Sequence, residues 1–349
     1  MDYYSDCVEK LENLRKRDDY TVLAFESSCD ETAVAVTRGR KVLSSVISSQ
    51  IEIHKRFGGV VPEIASRNHI LAIGKITDEA LAEAGITLKD VDVVAVTYGA
   101  GLLGALLVGV SYAKSLAYSL EVPLIAVNHI KGHMAANYIS APELEPPYIC
   151  LLTSGGHTYI LEVNATDDMT VLGETRDDAV GEAFDKVARV LGLPYPGGPE
   201  IEKKAKEGKA VYALPRAYKG ENHLNFSYSG LKTAVINLVS NAKARGEEIN
   251  AADLAASFQK EAVGVLIDHT VEAVRRTGIK TITLAGGVGA NTALREGLVK
   301  AGEAVGARVL LPPKKLCTDN AAMIGVCAYE EIRAGAMPAK LLLDADPAL

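Results

Sequence analysis

Apolar and polar positions along the chain fall into a pattern that occurs twice. From Thr21 onward, TVLAFE, a small polar loop SSCDE, then TAVAVT, a turn and KVLSSVISS predict three strands in a meander. Near Tyr148 the series begins again as YICLLT, SGGH, TYILEV and TVLGET. Residues 23–36 and 150–163 align strand, loop and strand without a gap, and Ser27 falls opposite Ser154. Downstream, 94–107 aligns with 282–295, each a buried strand, a Gly-rich turn and a helix start, with Gly99 and Gly101 opposite Gly287 and Gly289. PLIAVNH and ARVLLPP then add one strand to each half, before helices expected to begin at Lys131 and near Asn320. These features recur in one order, which predicts an internal duplication.

The expected organisation is an α/β protein with a charged N-terminal extension over 1–20 and a first half over 21–146. A second half follows over 147–330, then a tail over 331–349. The second half carries a helical insertion at about 181–278, where SGLKTAVINLVSNAKA and DLAASFQKEAVGVLIDHTVEAVRR place apolar residues at helical spacing.

Charge and cysteine content narrow the setting. A net charge of −7 and a pI near 5.6 argue against a chain that grips nucleic acid by bulk electrostatics. Arg15-Lys16-Arg17, Arg275-Arg276 and Lys314-Lys315 offer local phosphate contacts or simply solvated charge. Five widely spaced cysteines, Cys7, Cys29, Cys150, Cys317 and Cys327, predict no disulfide framework and no zinc knuckle. The apolar stretches fall short of a membrane span, and the charged N-terminus lacks the order of a secretory signal. A cytoplasmic protein with no membrane partner is expected.

The chemistry centres on VNHIKGHMAANY, where His129 and His133 stand at i and i+4 and share one helical face. Such a pair ligates a metal or serves as a cap or core histidine. Asp319 in LCTDNAAM occupies the pseudo-equivalent position of the other half, so the duplication predicts three ligands converging across a cleft. Two imidazoles and a carboxylate leave coordination positions open, which suits iron or zinc handling a ligand. Ile130, Lys131 and Gly132 stand between the histidines, so the glutamate of a HExxH metalloprotease is absent.

The loops from Glu26 to Thr32 and from Leu152 to His157 either present hydroxyls and backbone N–H groups to phosphate or are plain hairpin turns. GGVGAN, with Asn291 opening a helix, is a candidate nucleotide contact. Asp178, Glu182 and Asp185 are expected along one helical face, where Asp185 or Glu202 accepts hydrogen bonds from ribose hydroxyls or the face is merely solvated.

Together these residues resemble the TsaD family. The likeness runs from about Leu23 to Cys327 through SSCDET, GGVVPEIASRNH, GLLGALLVG, VNHIKGH, LLTSGGHT, DDAVGEAFDK, LGLPYPGGP, FSYSGLKTAV, DLAASFQ, GGVGAN and CTDNAAMIG. The resemblance implies an actin-like (ASKHA) ATPase fold of two ribonuclease-H-like halves. It also implies transfer of a threonylcarbamoyl group from threonylcarbamoyl-AMP to N6 of the adenosine beside the anticodon (position 37) of tRNAs reading ANN codons, forming t6A and releasing AMP. By position, the metal ligands are His129, His133 and Asp319, holding one divalent ion, Fe(2+) in preference to Zn(2+). The substrate-binding set is Leu152, Thr153, Ser154, Gly155, Gly156, Asp185, Gly198, Glu202 and Asn291, with Asp30 and Glu31 as additions. ATP, ADP and AMP analogues are implied ligands. The implied partners are tRNA, a TsaB-like paralogue forming a heterodimer and a TsaE-like ATPase, with a TsaC-like enzyme supplying the adenylate. Ala100 replaces the usual Pro of the GPG turn, and Ser27 stands where Thr is common.

The implied metal acts as Lewis acid and template while the SGG loop assists at an oxyanion or phosphate; no residue is assigned as general base. A small-molecule kinase on the same fold, a secreted metalloendopeptidase and a non-catalytic scaffold are the rival readings. The endopeptidase lacks both export signal and HExxH glutamate, and the scaffold would not need the histidine pair.

Overall fold

The computed structural model describes residues 2–218 and 220–349, which form two compact units. The first comprises Met1–Leu144 together with Asp319–Leu349, and the second Glu145–Thr318.

In the first unit, α1 (Tyr3–Leu14) precedes β1 (Thr21–Glu26), β2 (Glu31–Arg38) and β3 (Lys41–Ser49). Then come a single helical turn α2 (Ile51–His54), α3 (Pro62–Ala84), β4 (Val93–Gly99), α4 (Leu103–Leu120), β5 (Leu124–Asn128) and α5 (His129–Ser140). The strands form one sheet in the order β3-β2-β1-β4-β5, antiparallel on the β1–β2–β3 side and parallel from β1 to β5. Every residue of β1 is buried, as the apolar run Val22–Phe25 requires of a central strand covered on both faces. The outer strand β3 alternates instead. Proline at the first position starts α3, and Gly85 in the left-handed conformation ends it. The helix α4 is long and apolar enough to cross a membrane by length and composition; in this fold it packs against β4 and α3.

The second unit contains β6 (Tyr148–Thr153), β7 (Thr158–Val163) and β8 (Met169–Glu174), then α6 (Val180–Val190), α7 (Gly197–Ala205), α8 (Ser229–Ala244) and α9 (Ala251–Thr277). It closes with β9 (Thr281–Ala285), α10 (Thr292–Ala304) and β10 (Arg308–Leu310). Its strand order, β10-β9-β6-β7-β8, repeats that of the first sheet, with the same antiparallel meander beside parallel neighbours. Ile149, Leu151 and Ile160 of the sheet pack with Phe184 of α6, Phe258 of α9 and Leu294 of α10 in one core. Two units of one topology are the duplication written in the chain.

Three features differ from the sequence expectation. The chain after Thr318 belongs to the first unit: α11 (Ala321–Arg333) lies on β1 and β2 and beside α5. Arg40, at the β2–β3 turn, holds it through a paired contact with Glu330, Nε to Oε1 at 2.8 Å and Nη2 to Oε2 at 3.1 Å. The N-terminal extension is also docked, with Cys7, Leu11 and Leu14 buried and Arg15 Nε donating to the Ile332 carbonyl at 3.0 Å. Finally, α5 begins at His129 rather than Lys131, because the Asn128 side chain caps it by accepting from the N–H groups of Ile130 and Lys131.

Candidate functional site

His129 and His133 project from the first two turns of α5, and Asp319 stands just before α11, in the segment that returns to the first unit. The three are therefore brought together inside one unit, and not from the two halves as the duplication suggested. Their ligand atoms all lie within 4.8 Å of one another. Nε2 of His133 is 3.2 Å and Nε2 of His129 3.6 Å from Asp319 Oδ1. The rings meet edge to face with centroids 4.5 Å apart.

Burial shows what the cluster is built for. His133 is 1% exposed and neither ring nitrogen has a hydrogen-bond partner, although Nε2 faces the Asp319 carboxylate. A buried imidazole left unpaired costs about 1–3 kcal/mol. Two imidazole nitrogens and a carboxylate oxygen converging within 4.8 Å are the donor set of a divalent metal, so the residues fit the ion that the sequence implies. Burial works against charge on His129, but the carboxylates of Glu26 and Asp319 outweigh it and raise the imidazole above its ordinary pKa.

One neighbour of the cluster escaped the sequence reading except as the first residue of a polar loop. Glu26 ends β1 with its carboxylate buried: Oε1 accepts from Ser28 N–H at 2.5 Å and Oε2 from Thr97 Oγ at 2.6 Å. Its Oε2 lies 3.0 Å from His129 Nδ1, and Ser28 Oγ lies 3.2 Å from the same nitrogen. The available signal was a carboxylate closing an otherwise apolar, fully buried strand.

Asp30 and Glu31 follow in the same loop. Burial pushes the Asp30 carboxyl upward. It pushes Glu31 up to about 7; Ser49 Oγ, donating to Glu31 Oε1 at 2.7 Å, opposes this, and the charges of Asp30 and Asp319 add to it. His69 closes the loop, with Nδ1 2.7 Å from Thr32 Oγ and Nε2 2.9 Å from the Cys29 carbonyl.

The remaining predicted residues gather in the second unit, around the loop between β6 and β7. Leu152 and Thr153 are buried at the end of β6, and the Ser154 hydroxyl accepts from the N–H of His157 at 3.0 Å, which folds the loop so that Gly155 and Gly156 are exposed. Open space surrounds the positions where Cβ atoms would stand on these two glycines. A chain of contacts then joins the set. Gly181 N–H, opening α6, donates to the Ser154 carbonyl at 3.3 Å. Asp185 Oδ1 on the same helix accepts from Gly197 N–H at 2.7 Å, which fixes the start of α7 and the neighbouring Gly198. Glu202 of α7 accepts from Thr292 N–H at 3.4 Å, at the start of α10. Gly286, at φ +84°, closes the ring; a side chain there would stand 2.4 Å from the Thr153 carbonyl.

The start of α6 thus meets the glycine-rich loop, while the carboxylates of Asp185 and Glu202 occupy the starts of α7 and α10. Asn291 caps α10 by accepting from Leu294 N–H at 3.0 Å, and its amide donates to Gln259 Oε1 at 2.8 Å. The geometry also revises one reading, that of Asp178. Asp178 precedes α6 and so does not share a helical face with Glu182 and Asp185; Lys186 and Lys232 pair with it. All five cysteines are free.

Comparison with known proteins agrees with both units. The family described as TsaD, tRNA N6-adenosine threonylcarbamoyltransferase, matches residues 41–326. A tRNA N6-adenosine threonylcarbamoyltransferase of Clostridium perfringens strain SM101 is 55% identical over 330 residues, 94% of this chain and 97% of that protein. Its namesake from Clostridium novyi is 55% identical over 334 residues, 95% and 98% of the two chains. Among solved structures, full-length HypF in its phosphate- and nucleotide-bound form superposes with a TM-score of 0.57 at 17% identity, covering 91% of this chain and 47% of HypF. HypF of T. kodakarensis gives 0.58 at 15% identity over 91% and 48%. These likenesses concern the fold alone, which is the actin-like ATPase architecture of two ribonuclease-H-like units. With the family match spanning most of its length and relatives of this identity end to end, the chain belongs to the TsaD family of tRNA N6-adenosine threonylcarbamoyltransferases.

Proposed function

We infer that this chain transfers a threonylcarbamoyl group from threonylcarbamoyl-AMP to N6 of adenosine 37 in tRNAs reading ANN codons, forming t6A. The observation that carries the reading is the buried, unpaired His133 facing Asp319 beside His129, in a chain matched to this transferase family over 41–326. A buried imidazole nitrogen kept free of protein donors is what a bound cation needs.

In the reaction the N6 amine attacks the carbamoyl carbon, a C–N bond forms as the amine gives up one proton to solvent, the C–O bond to phosphate breaks and AMP leaves. The acyl group is already activated, so positioning and charge stabilisation are the protein's main tasks. His129, His133 and Asp319 would hold one divalent ion, iron(II) in preference to zinc, which would supply Lewis-acid polarisation. The Leu152–Gly156 loop receives the phosphate of the adenylate beside the start of α6. Asp185, Gly198, Glu202 and Asn291 shape the adenosine side of that site. Hydrogen bonds from Thr292 and Lys206 outweigh burial at Glu202 and keep its carboxyl below the ordinary value, so it is an acceptor at neutral pH.

The chain works in the cytoplasm with partners. Ile70 and Leu71 of α3 and Leu103 and Leu107 of α4 form an exposed apolar face on two packed helices, with Leu71 80% exposed. That face suits a TsaB-like paralogue carrying an equivalent helix pair. A TsaE-like ATPase and a TsaC-like adenylate supplier complete the set, and the partners provide cationic surface for tRNA that a chain of net charge −7 lacks.

The test supplies chemically prepared threonylcarbamoyl-AMP and unmodified tRNA to the purified chain with its paralogue. AMP release that depends on tRNA and equals the tRNA acylated supports the reading. AMP release without acylated tRNA, or phosphoryl transfer from ATP to a small molecule instead, overturns it.

A further inference from the structure

The two histidines of the cluster stand in unlike surroundings. His133 Nδ1 is buried with no partner, whereas His129 Nδ1 lies between Glu26 Oε2 at 3.0 Å and Ser28 Oγ at 3.2 Å. Imidazole tautomers are decided by such partners: a carboxylate at one ring nitrogen keeps the proton there and leaves the other nitrogen as lone pair. We propose that Glu26 is a positioning residue, which holds the proton of His129 on Nδ1 and so commits Nε2 to the cation. The inference rests on reading the cluster as a metal site.

Glu26 is itself held by donors that cannot exchange roles. The Ser28 backbone N–H points at Oε1, and Oε2 receives the Thr97 hydroxyl as well as the histidine. A backbone N–H can only donate, so whichever group of residue 26 faces Ser28 must be an oxygen. This makes Glu26→Gln a directional change. Its amide oxygen is fixed toward Ser28, and its NH₂ is placed where Oε2 was, against Thr97 and His129 Nδ1. The Thr97 hydroxyl can turn to accept, but the imidazole must now accept at Nδ1 and carry its proton on Nε2, the nitrogen 3.6 Å from Asp319 Oδ1. The variant preserves side-chain volume and hydrogen-bond number while reversing the tautomer of one ring.

The experiment has two arms on the full-length chain. In the first, ¹⁵N-histidine long-range correlation spectra of metal-free protein, recorded at a pH high enough for the ring to be neutral, report protonation of His129 Nδ1, assigned with His129→Gln. Wild type is expected to show Nδ1 protonated and Glu26→Gln to show it unprotonated; Nδ1 still protonated in the variant overturns the proposal. In the second, Zn²⁺ and Fe²⁺ alone are titrated calorimetrically. Glu26→Gln is expected to weaken binding by about 10–100-fold, with part of the loss recovered in Glu26→Asp, which keeps the carboxylate. Equal affinity in wild type and Glu26→Gln overturns the proposal. If wild type takes up neither ion, the metal reading fails, and the spectra still decide whether Glu26 sets the tautomer. Far-UV circular dichroism and the unaltered spectra of the other histidines distinguish a reversed ring from a misfolded chain.

Discussion

His129, His133 and Asp319 are not equivalent ligands. His129 is gripped from behind by Glu26, whereas the far nitrogen of His133 has no partner and its ring is placed by packing and by Asp319 at Nε2. Replacing either histidine with Ala removes a donor from a set of three. Each change is expected to lower bound metal, measured by inductively coupled plasma mass spectrometry after dialysis, to less than a tenth of wild type. Glu31 answers to pH instead. Its folded carboxyl is raised from the usual 4.5 to about 7, chiefly by burial. A raised carboxyl favours the folded state while it is protonated, and that advantage is lost as pH rises from about 4.5 through about 7. Glu31→Gln removes the loss, so the metal-free variant is expected to be about 1–2 kcal/mol more stable than wild type at pH 8, after allowance for partial exposure, and little different at pH 4. Urea unfolding at the two pH values checks both magnitude and sign.

The elements place these residues through their ends. Asn128 caps α5 and thereby sets where the histidine pair begins, so Asn128→Ala is expected to cost about 1 kcal/mol and to weaken metal binding as well. In the second unit, a side chain at position 286 would need a left-handed backbone and would meet the Thr153 carbonyl at 2.4 Å. Gly286→Val is expected to destabilise the protein by at least about 2 kcal/mol in denaturant unfolding and to abolish adenylate binding, because it pushes apart β9 and the Leu152–Gly156 loop. The strands, the loops between them and the i,i+4 histidine pair were legible because each is a local pattern. The start of α5 was misplaced by two residues because a strand-end Asn and a capping Asn look alike until the chain turns. Glu26 as partner of His129 joins residues 103 apart in sequence, which no local period records.

At the scale of the whole chain, the duplication was legible because strand order survives in both units as the same sequence of apolar runs and turns. The return of Asp319–Leu349 to the first unit was not. The helix α11 buries residues on nearly every side, so its pattern says that it is enclosed without saying by which sheet. That return puts Asp319 beside His129 and His133 within a single compact unit. The exposed face of α3 and α4 concerns assembly: Leu71→Glu is expected to abolish association with the paralogue in sedimentation while leaving metal content unchanged. The central claim is tested most directly by nucleoside mass spectrometry of unmodified tRNA incubated with the chain, its partners, ATP, threonine and bicarbonate. The account expects t6A at adenosine 37 with the wild-type chain and at least about a hundredfold less with Asp319→Ala. Full t6A formation by Asp319→Ala, or none by the metal-loaded wild type with all partners present, would contradict it.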